Sequence, residues 1–281
     1  MRDLLAKGEN LPTLPTVVFQ LHRVLDNENA GAKDVAHIIE RDPALTARLL
    51  RAANSAAFAR PGGDRVGSVN AAVTRLGVNQ VRAVCIVLAV VKAFRSRTGG
   101  LDHQEFWIHS AAVGMIARKL WDMYGDDPAI SAEDIYVAGL LHDAGLLVIE
   151  QHFPREFDEV LVSRSACNGR LWQVEEDQLG MDHGAVGGLL LGRWSLPAFT
   201  AEAVTNHHHP AQADEQYQRV CRVVQAAETL CIEGGAGLPE EGPADCSAAD
   251  VLTELGASDE EVETMIASVP KFAESARNFL T

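Results

Sequence analysis

Apolar residues recur every three or four positions along most of the chain, and nowhere do they alternate with polar ones over a strand's length between hairpin turns. The pattern predicts an all-α fold. After the stiff stretch Leu11-Pro12-Thr13-Leu14-Pro15-Thr16, Val17, Val18, Leu21, Val24 and Leu25 share one helical face. Asp42-Pro43 is a helix start, with Asp as N-cap and Pro in the first turn, and the helix should end near Asn54-Ser55. Val69 to Leu76 should form a helix stopped by Gly77, and Asn79 can cap a longer one carrying Val81, Val84, Cys85, Leu88 and Val91. Five helices then fill roughly the first hundred residues. The stretch Ala83 to Val91 is apolar nearly all round, which predicts a buried helix at an interface between two lobes.

Ser96-Arg97-Thr98-Gly99-Gly100 reads as a hinge. It divides the chain into an N-terminal helical bundle, residues 1–98, and a C-terminal one, residues 99–281, expected to pack together. Beyond the hinge, helices are predicted from about Asp102 to Tyr124, from Ser131 with a Ser131-x-x-Asp134 capping signature, and from about Asp182 to Trp194. Others run from about Ala198 to His208 and Glu215 to Ile232, with short helices from about Ala248 to Leu280. Residues 233–247, rich in Gly, Pro and acids, read as an exposed loop.

Charge changes sign at the same hinge. Residues 1–100 carry 14 basic and 8 acidic groups, residues 101–232 carry 8 and 20, and residues 233–281 carry 2 and 11, within a net charge of −15. Nucleic acid is therefore not an expected partner, because most of the chain would repel it. Arg41, Arg48 and Arg51, with Arg75 and Arg82, form a basic stripe; they read either as a solvated helix face or as a surface for an acidic partner. The longest apolar run is nine residues, too short to span a bilayer, and the N-terminus lacks a secretory pattern, so a cytoplasmic protein with no membrane partner is expected. Five cysteines without CxxC spacing predict reduced thiols and no zinc ribbon.

The candidate chemistry lies in the acidic half. His109 interrupts the apolar Phe106-Trp107-Ile108, and His142-Asp143 follows Val137-Ala138-Gly139-Leu140-Leu141, a stretch too apolar for a surface. A carboxylate buried there costs several kcal/mol unless it is paired, hydrogen-bonded or ligated. His183 opens a Gly-rich helix, His207 and His208 close another, and Glu228 stands within Val223-Val224-Gln225-Ala226-Ala227-Glu228-Thr229-Leu230. Each of these alone is readily a satisfied core or surface residue. Helical bundles, however, build metal sites from one or two inward ligands per helix, and imidazole and carboxylate suit transition metals.

Their order resembles the HD superfamily of metal-dependent phosphohydrolases, and the chain from about residue 9 to 232 resembles its HDOD branch. The matching stretches include Leu11-Pro12-Thr13-Leu14-Pro15, Asp42-Pro43-Ala44-Leu45-Thr46, Leu49-Leu50-Arg51-Ala52-Ala53-Asn54-Ser55, Gly139-Leu140-Leu141-His142-Asp143-Ala144-Gly145, Asp182-His183-Gly184 and His207-His208-His209-Pro210. The resemblance implies an N-terminal bundle packed on an HD-type bundle. It also implies a metal set of His109, His142, Asp143, His183, His207, His208 and Glu228, holding one or two divalent ions of iron, manganese, zinc or nickel. In an active enzyme His142 and Asp143 would be catalytic, through Lewis-acid activation of a water for attack on a nucleotide or other phosphoester.

Three departures bear on activity. Leu146 stands where the HD-GYP branch, which cleaves cyclic dinucleotides, has a lysine, the glycine-tyrosine-proline motif is missing after His208, and Glu228 stands where catalytic members of the superfamily have the last ligand aspartate, its extra methylene shifting the oxygen. The expectation is therefore a bacterial signal-transduction module that binds a protein partner or a nucleotide-like ligand, with weak or no turnover. A metal-dependent phosphohydrolase is the alternative.

Overall fold

A computed structural model of the chain describes residues 32–54, 65–94, 100–167, 169–244 and 246–280, together with helical Gln20 and Val24. The amphipathic face proposed around Val17 to Leu25 and the hinge at Ser96 to Gly99 lie almost wholly outside them. Among the described residues there are helices and turns and no strand, so the chain is all-α as its periodicity predicts. Two compact units emerge, one of residues 13–94 and 277–281, the other of residues 1–12 and 95–276.

The smaller unit contains α1 (Ala32–Ile39), α2 (Pro43–Ala53), α3 (Val69–Leu76) and α4 (Val78–Ala93). Val35, Ile39, Leu45, Leu49, Val69 and Val81 are among the residues of its core. Asp42 starts α2 as expected, its carboxylate accepting the Leu45 N–H at 3.1 Å. Beyond α2 the Asn54 amide both donates to and accepts from the backbone of Val66, at 2.9 and 2.7 Å, tying the two ends of an intervening segment. Gly77 ends α3 at φ +82°, a conformation that L side chains rarely adopt. The helix after it begins at Val78 directly, so Asn79 lies inside α4 rather than capping it. Ala83, Val84, Cys85, Ile86 and Val90 are buried, as the apolar pattern requires.

The larger unit contains α5 (His103–Tyr124), α6 (Ala132–Leu141), α7 (Ala144–His152), α8 (Pro154–Cys167), α9 (Leu171–Leu179), α10 (His183–Arg193), α11 (Ala198–Asn206), α12 (Gln218–Glu233), α13 (Ala248–Leu255) and α14 (Asp259–Leu280). Its starts follow cap chemistry. Asp102 accepts from Gln104 and Glu105 N–H, Ser131 and Asp134 form a reciprocal capping box, and Asp182 accepts from the Ala185 N–H. α5 packs on α6 and α12, and α10 packs on α7 and α11. Gly114 and Gly139 let α5 and α6 approach at backbone distance: a Cβ on Gly114 would lie 2.7 Å from the Tyr136 carbonyl oxygen. A Cβ on Gly145 would collide with the His183 carbonyl oxygen, so this glycine sets how near α10 comes to the start of α7.

Residues 233–247 are not the exposed loop their composition suggests. Leu238 and Glu241 are buried, and the segment turns back onto the ends of α5 and α9 through its own backbone. No described helix is long and apolar enough to cross a membrane.

Candidate metal centre

α6 ends at Leu141 and α7 begins at Ala144, so the His142-Asp143 pair occupies the turn between two buried helices. Asp143 sits at the N-cap position of α7, where an aspartate ordinarily accepts from the first-turn N–H groups. It makes no such bond. Its fully buried carboxylate is surrounded by imidazole nitrogens instead. Oδ2 lies 3.1 Å from His142 Nε2 and 3.8 Å from His109 Nε2; Oδ1 lies 3.2 Å from His183 Nε2 and 3.7 Å from His207 Nε2.

The histidines come from α5, the α6–α7 turn, the start of α10 and the end of α11, which brings together residues about a hundred positions apart in sequence. Two sets of potential ligand atoms result, each within 4.8 Å: His109, His142, Asp143 and Glu241 in one, and His183, His207 and His208 in the other. His208 Nε2 lies 3.0 Å from His183 Nε2. His209 stands apart and packs edge-on against Trp172, which also stacks on His208. Glu228 is in neither set, although it is buried on α12 and lines a narrow cleft with His183, His208 and Glu241.

Two carboxylates that the sequence reading missed complete the arrangement. Glu241 presents Oε1 3.2 Å from His109 Nε2, although nothing in its polar, proline-flanked sequence singled it out as a ligand. Glu175, buried on α9, accepts both the backbone N–H of His183 at 2.8 Å and its Nδ1–H at 2.6 Å, which fixes the ring.

The proton inventory shows what the cluster can hold. Nδ1 of His109, His142 and His207 lies 2.7–2.8 Å from the carbonyl oxygens of Ala236, Gly139 and Val204, which only accept. Nδ1 therefore carries the proton in each neutral ring, and the Nε2 lone pair faces the carboxylates. His109, His142 and His207 Nε2, both Asp143 oxygens and Glu241 Oε1 are buried without a hydrogen-bond partner. Lone pairs facing lone pairs repel unless a cation lies among them.

Protonation satisfies part of this demand. Burial opposes charge on His109, but Glu241 and Asp143 outweigh it and push its pKa up to about 9. Burial likewise opposes charge on His183, which Glu175 and Asp143 nevertheless raise well above the usual imidazole range. Burial would raise the Asp143 carboxyl, yet His142 and His183 hold it well below the carboxylate range. His207 and His208 move the other way, since burial and the neighbouring rings keep them neutral. Protons alone thus cannot satisfy every inward nitrogen. A nitrogen and oxygen donor set of this composition fits divalent transition metals.

A helical bundle with a His-Asp pair at a helix break, ringed by histidines from neighbouring helices, agrees with the HD-type order of residues that the sequence resembles. The HDOD domain model matches residues 11–210, and the chain belongs to the HDOD family. Among solved structures it resembles an HDOD domain protein of unknown function from Geobacter sulfurreducens, with 26% identity and a TM-score of 0.83 over 99% of this chain and 96% of that one. It resembles a protein from Shewanella amazonensis SB2B, provisionally named a phosphohydrolase, with 26% identity and a TM-score of 0.79 over 98% and 96%. A third, from Marinobacter aquaeolei VT8 and provisionally named a signal transduction protein, has 27% identity and a TM-score of 0.79 over 95% of this chain and 58% of its own. An uncharacterized protein of Treponema pallidum (strain Nichols) is 25% identical over 222 residues, which are 78% of this chain; the chain spans 42% of that relative's length.

Proposed function

We propose that this HDOD domain is a metal-loaded regulatory module that works by binding, with turnover weak or absent. The observation that carries the reading is the enclosure of the cluster. His109, His142, Asp143, His183 and His207 are each at most 2% exposed, while the inward atoms of His109, His142, Asp143 and His207 lack hydrogen-bond partners. Such a site suits a resident ion better than a passing substrate the size of a dinucleotide. His109, His142, Asp143 and Glu241 would hold one ion, and His183, His207 and His208 a second beside Asp143. A divalent ion there would supply Lewis-acid polarisation to a phosphate oxygen.

The protein's own residues do the rest of the work. Glu175 and the carbonyls of Gly139, Val204 and Ala236 hold the rings by Nδ1, so that every Nε2 stays aimed inward. Leu146, fully buried on α7, offers neither charge nor proton at the position where the cyclic-dinucleotide-cleaving branch has a lysine. Neighbours provisionally named for phosphohydrolysis and for signal transduction are compatible with a shared fold serving either role, and a protein partner in a signalling pathway is part of our reading.

Elemental analysis of purified protein should find one or two divalent ions per chain. Assays against cyclic dinucleotides, nucleotides and a chromogenic phosphodiester should give equal background for the wild type and Asp143→Ala. Turnover near 1 per second that disappears in Asp143→Ala would establish an enzyme instead, since enzymes commonly run at about 1–10³ per second.

A further inference from the structure

A groove of about 360 Å³, whose wall includes no candidate metal ligand, lies between α8 and the segment that follows α12. Arg164 of α8, Ile232 near the end of α12, and Leu238, Pro239, Gly242 and Pro243 form most of its lining. Its volume is within the range of about 300–1,000 Å³ usual for ligand sites. The wall is apolar side chain and glycine backbone, and of the residues that line it Arg164 alone is charged.

Arg164 stands out by its surroundings. Residues 95–276 carry 31 acidic and 11 basic groups, so an arginine there has no shortage of potential partners. Others use the chain: Arg118 meets Glu133 at 3.1 Å, Arg222 meets Glu254 at 2.9 Å, and Arg219 donates to the Tyr124 and Leu255 carbonyls at 2.9 and 3.2 Å. Arg164 is half-buried, its Nε is buried without a hydrogen-bond partner, and no carboxylate of the described residues pairs with it. A Cβ on Gly242 would come within 3.2 Å of Arg164 Nη2 and 3.3 Å of Nε, so glycine at 242 lets the guanidinium lie close to the backbone of the groove.

A partly desolvated guanidinium with open donors demands an anion, and its planar fork matches a carboxylate through two parallel hydrogen bonds. One cation amid this excess of acid suits a monoanion better than a phosphate dianion. Gly237 and Gly242 also line the groove, and no acceptor among the described residues takes their N–H groups. Backbone donors beside an apolar, proline-bearing wall suit an extended chain, whose carbonyls they can meet, better than an isolated small carboxylate.

We propose that this groove receives an acidic peptide segment of a partner protein, with a glutamate or aspartate carboxylate on Arg164 and flanking apolar side chains against Ile232, Leu238, Pro239 and Pro243. It supplies the chemistry of a partner for the binding role above, and it needs no metal, so it stands or falls apart from the cluster.

Short fluorescein-labelled peptides with a central Leu-Glu-Leu, Leu-Gln-Leu or Leu-Lys-Leu are titrated with the full chain and binding is read by polarisation, with far-UV circular dichroism to verify the folding of each variant. The glutamate peptide should bind at least about tenfold more tightly than the glutamine one, because the charge-assisted bonds go with the charge. Arg164→Ala should erase that difference, and Arg164→Glu should transfer the preference to the lysine peptide. Pro243→Glu, at an exposed position that leaves Arg164 in place, should weaken the glutamate peptide by about tenfold through repulsion. Equal affinity for the glutamate and glutamine peptides, or a preference that survives Arg164→Ala, would overturn the proposal. Free hexanoate that competes as well as the peptide would overturn the peptide assignment in favour of a small carboxylate. The preference should persist after chelator treatment even if the protein proves to carry no metal; a preference that chelator abolishes would place the peptide at the cluster and overturn the groove.

Discussion

Asp143 and Glu150 are carboxylates seven residues apart at the two ends of the same short helix, both fully buried, and they live in opposite circumstances. Glu150 is satisfied by the chain itself: Oε1 accepts the Leu101 N–H at 2.8 Å, and Oε2 meets His103 Nε2 at 2.6 Å. Asp143 faces four imidazole nitrogens, yet neither oxygen has a hydrogen-bond partner. Burial of charge is therefore no mark of function. What distinguishes a site is burial with the valence left open, because folding does not retain several inward lone pairs unless something else completes them.

The largest consequence concerns metal and stability together. An ion that binds the folded state alone stabilises it by about 4 kcal/mol when present at about a thousand times its dissociation constant. Thermal melts with and without chelator should differ accordingly in the wild type and coincide in Asp143→Ala. A wild type whose melting temperature ignores both chelator and added metal would place Asp143 in the same class as Glu150. Next in size is Glu150→Ala, expected to cost about 3 kcal/mol by orphaning the Leu101 N–H and His103, equally with and without metal. If that loss appears only in the metal-loaded protein, Glu150 belongs to the site after all.

The pH dependence should differ between the loaded and stripped protein. His109 has a folded pKa of about 9 against an ordinary 6.5, so in the metal-free protein its contribution is complete below pH 6.5 and is lost as pH rises through about 9. The size should be on the order of 3 kcal/mol, read from denaturant midpoints across that window. Metal loading reverses the slope, because ligands bind an ion only when deprotonated. Parallel slopes for loaded and stripped protein would show that no ion displaces the His109 proton.

Most of the side chains that converge in the candidate site were legible in the sequence because charge stood out against an apolar background. His142-Asp143 breaks a run from Val137 to Leu141, and the helices carrying His109, His142 and His183 begin at Asp102, Ser131 and Asp182, whose short polar side chains announce a start. Glu241 gave the opposite signal. It lies among Pro239, Glu240, Gly242 and Pro243, a composition that ordinarily means solvent, and only the fold shows it turned inward. Glu175 is masked by its neighbours Glu176 and Asp177, which read as a polar helix face. The helices from Ala144 to Leu179 were not placed because Leu146 to Ile149 is apolar all round and carries no period. Asn79 failed as a cap because α4 follows Gly77 without an intervening turn.

The smallest effect separates a site lost through its own chemistry from one lost through general loosening. Ser131 caps the far end of the helix that delivers His142, about 15 Å from it along ten residues of helix. Its hydroxyl accepts the Asp134 N–H and donates to the Asp134 carboxylate at 2.7 Å, and Ser131→Ala should cost about 1 kcal/mol, or roughly 2–4 °C in melting temperature. Sites this far apart ordinarily contribute independently, so zinc affinity should stay within about twofold of wild type. A calorimetric titration in which Ser131→Ala loses zinc as Asp143→Ala does would mean that the cluster empties whenever the bundle loosens. In that case the open valence at Asp143 would report the stability of α6 rather than a demand of its own for a cation.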